Sequence, residues 1–175
     1  TNYALDFDGT NDYIDVGDLD IGSTFTIEAW VYGHSNAGGQ EPIFSTRSGG
    51  AAGGIQIEVD GCKAGNNNVC VTDDNDNLLI KQTSGYGKNA WYHLAFTVTP
   101  TSRTIYINGS AVLTDSSSSY TATDNNDSKV IGAGSRSGLL MTYFYDGLID
   151  ELRIWNDVRT AGEISANYNQ GVASN

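Results

Sequence analysis

Apolar residues in this chain come in short alternating runs, and the longest of them closes its last third. Tyr145-Asp146-Gly147-Leu148-Ile149-Asp150-Glu151-Leu152-Arg153-Ile154-Trp155 has the period of a β-strand. Counted in twos, Leu148, Leu152 and Ile154 share one face with Asp150 in their midst, and Ile149, Glu151, Arg153 and Trp155 share the other. That count puts a carboxylate on an apolar face. A lone ionised Asp buried there is costly unless it is paired or metal-bound, so Asp150 is expected to need a cation. The best-matched partner is the acidic start of the chain, Asp6-Phe7-Asp8-Gly9-Thr10-Asn11-Asp12-Tyr13. The two ends are expected to meet and hold a calcium ion between them.

The 175 residues suit one domain, 1–175, large enough for a hydrophobic core. Gly 21 and Tyr 10 against Met 1 and Pro 2 describe an all-β protein of many short strands. A net charge of -12 with only 9 Lys and Arg excludes nucleic acid, whose phosphates need clustered cations, and disfavours an acidic membrane surface. Sixteen Asp against five Glu favours turns and hard-cation sites over helices. No apolar run reaches the roughly 18 residues of a membrane span, so no membrane insertion is expected. No signal peptide opens the chain, which starts at Thr1 and reads as a processed protein or an excised module. Cys62 and Cys70 flank a polar Gly/Asn-rich loop and read as a disulfide across a hairpin, which places the protein outside the cell or on its surface. Two free thiols are the alternative.

Strands are expected on either side of a turn at residues 8–12, then over Thr24–Tyr32, Pro42–Ser45, Gly54–Val59, Val69–Thr72, Leu78–Gln82, Trp91–Thr99 and Val130–Gly134. Arg103–Leu113 reads as a hairpin turned by Asn108-Gly109. Asp73, Asn75 and Asn77 match the first half of a helix-loop-helix calcium loop, but Leu78 stands where Gly is required and Ser84 where Glu is, so a hairpin tip is expected instead. Asn108-Gly109-Ser110 and Asn126-Asp127-Ser128 match the glycosylation pattern. Residues 48–54 and 115–127 read as loops. One short C-terminal helix is expected, opened by the capping box Thr160-Ala161-Gly162-Glu163 and carrying Ile164 and Tyr168 before Gly171.

Taken in order, residues 4–14, Phe25–Val31, Trp91–Phe96, Ile105–Gly109 and Gly147–Trp155 resemble the laminin G-like modules of the concanavalin A-like superfamily. The resemblance implies a two-sheet antiparallel jelly-roll sandwich with the chain ends on adjacent strands. It also implies a structural calcium ion bridging the opening loop and the last long strand, with Asp8 and Asp150 as side-chain ligands and Asn11 and Asp12 beside them. An oxygen-rich site of this kind suits calcium, whereas zinc would want His or Cys. The alternative is that Asp8 caps a turn and Asp150 pairs with an Arg.

Some relatives in that superfamily hydrolyse glycosides through paired carboxylates. The Glu-x-Asp-x-Glu strand signature of the laminarinase type has no counterpart here, and no catalytic residue is assigned. Binding is the stronger expectation. If Phe25, Ile27, Tyr92, Leu94, Phe96, Ile105 and Ile107 fill the core, alternation puts Glu28, Trp30, Tyr32, Trp91, His93 and Tyr106 on the opposite face, an aromatic and polar surface suited to a poly- or oligosaccharide. Trp30 and Trp91 buried under other chain segments is the alternative. A second candidate is the loop rim, with Tyr86, Tyr120, Arg136, Tyr143 and Tyr145. The sequence thus points to a non-catalytic, calcium-stabilised carbohydrate-binding module working beside other domains of a larger secreted protein. An adhesion or spacer module that binds protein partners is the runner-up.

Overall fold

Alternation decides the layers. In the computed structural model, which describes residues 4–34, 39–46, 54–62, 66–73, 77–116, 128–134 and 141–171, Phe25, Ile27, Ala29 and Val31 of strand β3 (Phe25–Gly33) all turn inward. Beside β3 lie β8 (Trp91–Val98) and the long β14 (Asp146–Trp155). With β1 (Leu5–Asp8), β9 (Arg103–Ile107) and β10 (Ser110–Asp115) they form a six-stranded antiparallel sheet in the order β1-β14-β3-β8-β9-β10.

The facing sheet, also antiparallel, runs β2-β11-β4-β5-β6-β7, built from β2 (Ile14–Asp15), β4 (Glu41–Ser45), β5 (Ile55–Val59), β6 (Val69–Asp73), β7 (Leu78–Gln82) and β11 (Val130–Ile131). A separate two-stranded ladder is formed by β12 (Ala133–Gly134) and β13 (Tyr143–Phe144). Ile55, Ile57, Val59 and Val71 of the facing sheet meet Ile27, Val31, Leu94, Phe96, Ile105 and Ile149 of the first in one core.

The expected strand from Val130 to Gly134 is broken at Gly132, and the two halves pair with different partners. The Asn108-Gly109 turn forms as expected, with φ of 50° and 74°. A Cβ at Gly109 would also lie 2.9 Å from the Tyr168 ring, so close approach demands glycine there as much as backbone angle does. Cys62 and Cys70 are disulfide-bonded, 6.2 Å apart at Cα, and close the connection between the paired strands β5 and β6. The polar tract at residues 73–77 joins β6 to β7, its Asp73 carboxylate accepting from the Asn77 amide at 2.7 Å.

The chain ends meet as expected, β1 against β14, but the face count along β14 needs correction. From Gly147 to Asp150 its residues pair one for one with Gly33 to Trp30, and the pairing then resumes at Arg153 opposite Glu28. Three steps on β14 thus oppose two on β3, a bulge centred on Glu151 at φ 51°. The extra residue reverses parity. Leu148 and Asp150 point away from the core, while Leu152 and Ile154 pack against it. Asp150 is therefore not a carboxylate stranded on an apolar face.

The C-terminal helix α1 (Ala161–Gln170) begins at the expected capping box: the Glu163 amide donates to Thr160 Oγ1 at 3.3 Å and the Thr160 amide to Glu163 Oε2 at 2.8 Å. It lies across the outer surface of the first sheet, with Ile164 fully buried against Ala95 and Tyr106.

Candidate functional site

The outer surface of the first sheet falls into two zones. Beneath α1, the Asn167 amide donates to both Glu28 carboxylate oxygens at 3.1 Å, His93 Nε2 lies 3.4 Å from Glu28, and the Tyr168 ring stacks on Trp30 at 5.6 Å. Glu28, Trp30, His93 and Tyr106 share a face, as alternation requires, but they are at most 8% exposed. The expectation that these four present an open ligand surface is not met, because the amphipathic last helix docks on them. The Asn108 side chain is engaged as well, its carbonyl accepting from the His93 amide at 3.0 Å.

Past the C-terminal end of α1 the same surface opens. Trp91 and Tyr32 are half-buried and 5.7 Å apart, and Tyr32 meets the exposed His34 at the same distance. The cross-strand register sets two adjacent rows there. One is Asp6-Leu148-Tyr32-Trp91; the other begins Asp8-Asp146 and continues to His34, whose amide donates to the Asp146 carbonyl.

Where this zone meets the rim of the sandwich lies a cleft of about 240 Å³. Asp8, Gly9 and Asp146 form one wall, Gly39, Gln40 and Glu41 another, and Thr142, Tyr143 and Phe144 the third. Asp8 is held by its own turn: its Oδ1 accepts from the Thr10 and Asn11 amides at 2.8 and 3.2 Å, and Asp12 accepts from the Asp8 amide at 3.1 Å. Those amide bonds draw the Asp8 carboxyl below its ordinary range.

The residue opposite Asp8 is Asp146, where the sequence points to Asp150. Asp150 lies four residues farther along β14, roughly 13 Å at a strand's rise, and accepts from the Glu151 amide at 2.8 Å beside a separate cleft lined by Leu5 and Ile131. Three of the four expected ligands, Asp8, Asn11 and Asp12, are thus brought together without the fourth. The sequence signal for Asp146 was a second Asp-Gly step, Asp146-Gly147, mirroring Asp8-Gly9. The side-chain donors at this wall are the Asp8 and Asp146 carboxylates, oxygens that fit a hard cation such as calcium and not a thiophilic one.

Under the cleft lies an ionic floor. Lys88 contacts Glu41 and stands 3.5 Å from Asp60, and all three side chains are almost fully buried. Gly33 and Gly147 face each other across β3 and β14 and leave room for this layer: a Cβ on Gly33 would strike Lys88 and the Tyr86 hydroxyl, and one on Gly147 the Tyr145 hydroxyl. One cation serves two carboxylates. Burial pushes the Glu41 carboxyl up to about 7, with Asp60 and Asp146 adding to the shift and Lys88 opposing it. Burial raises the Tyr86 and Tyr145 phenols too. Of the rim residues expected to meet ligand, Tyr143 lines the cleft, Tyr86 and Tyr145 belong to the core, and Tyr120 and Arg136 lie outside the described residues, as does Asn126.

The chain belongs to the Laminin_G_3 family of the concanavalin A-like lectin/glucanases superfamily, whose sequence model matches residues 8–165. A search of curated protein sequences gave no match. Among solved structures, the carbohydrate-binding module (CBM40) of the Ruminococcus gnavus IT-sialidase bound to α2,3-sialyllactose superposes with a TM-score of 0.75 at 12% identity, covering 95% of this chain and 96% of that one. A putative carbohydrate binding protein from Bacteroides ovatus superposes with a TM-score of 0.70 at 20% identity, over 91% of this chain and 45% of its own. Domain 4 of a Geobacillus stearothermophilus extracellular arabinanase, in complex with arabinotriose, gives 0.68 at 18%, over 95% and 81%. At these identities the likeness is one of fold.

Proposed function

As a member of that superfamily with a cleft of this composition, the chain is, we propose, a non-catalytic carbohydrate-binding module of a larger secreted or cell-surface protein. The observation that carries this reading is the rim cleft, lined by the half-buried Tyr143 and Phe144 together with Asp8, Gln40 and Asp146. Aromatic rings take the C–H faces of a sugar, while carboxylates and an amide take its hydroxyls. The fold neighbours that hold sialyllactose and arabinotriose support a saccharide as the ligand class. Two features favour binding without catalysis. Asp8 is held ionised and makes a poor general acid, and the carboxyl with the raised pKa, Glu41, is tied to Lys88. The Cys62–Cys70 disulfide favours an oxidising, extracellular setting.

A structural calcium ion is the second component. Asp8 and Asp146 would hold it, stapling β1 to β14, in place of the Asp8 and Asp150 pair that the sequence suggests. A glycan array run with and without EDTA tests both components. Selective oligosaccharide binding that Tyr143→Ala abolishes supports the module. A blank array from a folded protein rejects it in favour of an adhesion or spacer role. A melting temperature unmoved by EDTA rejects the calcium alone.

A further inference from the structure

We propose that His34, Tyr32 and Trp91 form a second saccharide subsite, continuous with the rim cleft through Asp146, and that the chain lying across both is built of uncharged or amine-bearing sugars. This rests on the carbohydrate-binding reading above and says what kind of saccharide the site takes and how much of it.

Continuity is the first ground. Asp146 lines the cleft, and its Oδ1 also lies 3.5 Å from His34 Nδ1, so one carboxylate belongs to both surfaces. From Asp146 on β14 to Trp91 on β8 is two strand spacings, roughly 10 Å. The cleft alone, at about 240 Å³, is smaller than the roughly 300–1,000 Å³ of sites that enclose a whole ligand, so an oligosaccharide seated in it must continue over a neighbouring surface.

The second ground is the character of that surface. Tyr32, Trp91 and His34 carry on the aromatic series that Tyr168 closes over Trp30 on the same face, and among the described residues no helix covers them. The rings of Tyr32 and Trp91 are half-buried, and the exposed His34 sets its Nδ1 beside Asp6 and Asp146, the mixture of ring face and polar edge that a sugar uses.

Charge sets the class. Asp6, Asp8 and Asp146 line the path; a calcium ion on Asp8 and Asp146 would at most cancel those two charges and leave Asp6 anionic beside His34, and the nearby Lys88 is buried and engaged by Glu41 and Asp60, so among the described residues no free side-chain cation stands ready for a sugar carboxylate. A neutral chain loses nothing by this, and a protonated amine gains, both from the carboxylates and from the ring faces.

The test is an array carrying neutral xylo-, cello- and arabino-oligosaccharides, glucosamine oligomers and sialyllactose, followed by calorimetry of the best binder as mono- to tetrasaccharide. Neutral or glucosamine oligomers should lead, with affinity rising about tenfold as the chain lengthens past the first residue. Trp91→Ala and His34→Ala should each remove most of that gain, whereas Tyr143→Ala should weaken every length. His34 is exposed, so its variant keeps the fold whatever becomes of Trp91→Ala. Sialyllactose leading the array, affinity independent of length, or wild-type length dependence in both variants would overturn the second subsite while leaving the module reading intact. A blank array sinks the two together.

Discussion

The two halves of the first sheet's outer face use the same residue types to different ends. Trp30 and Trp91 stand on neighbouring strands, both directed outward, and differ in what covers them: Tyr168 stacks on the first, and among the described residues no helix reaches the second. Likewise Glu28 is fully buried and bridged by Asn167, whereas Asp146 is only half-buried, beside the exposed His34. An aromatic and acidic face is therefore not in itself a binding surface. Its role is decided by where a helix of ten residues happens to stop.

The contrast can be broken most directly by truncating the two tryptophans in parallel. Trp30→Ala should cost about 3–5 kcal/mol in urea unfolding, the range for a buried aromatic, while Trp91→Ala should stay within about 1 kcal/mol and act on ligand affinity instead. Equal losses would mean that the zones do not differ.

The ionic floor under the open zone makes the next largest prediction. The Glu41 carboxyl, ordinarily near 4.5, titrates near 7 in the folded protein, so between those values the folded state holds the extra proton. Its contribution is present below pH 4.5, declines as pH rises through 7 and is gone above it, a loss on the order of 3 kcal/mol. Urea midpoints at pH 5 and pH 8 should differ accordingly in the wild type and much less in Glu41→Gln.

Within the covered zone, Asn167→Ala leaves the buried Glu28 carboxylate without its amide and should cost about 1–3 kcal/mol by chemical denaturation. Smallest of all, Thr160→Ala removes the helix cap for about 1 kcal/mol, read as a lower melting temperature with the cleft's ligand binding retained. If that substitution also weakened binding, the independence of the two zones would be lost.

Most of the strand order was legible because β-alternation is a local signal. Phe25, Ile27, Ala29 and Val31, with Leu94 and Phe96, read inward from alternation alone, the Asn-Gly turn announced its hairpin, and Thr160 and Glu163 announced the helix. Where α1 would dock was not legible, because Ile164 and Tyr168 show only that one face of it is apolar, not which sheet receives that face. Asp150 was misplaced for a related reason. A bulge at a non-glycine residue such as Glu151 leaves no mark in a hydrophobic pattern, and every assignment beyond it inherits the slip.

That one additional residue governs more than a local kink. It works like an inserted letter in a two-letter reading frame: upstream of it β14 sends its acids to solvent, and downstream it sends its aliphatics to the core. Were Glu151 instead to take its own place in a regular ladder, Leu152 and Ile154 would turn toward water and Arg153 and Trp155 toward the interior. The most irregular step of the last strand is thus what allows a single segment to build both an acidic rim and an apolar wall.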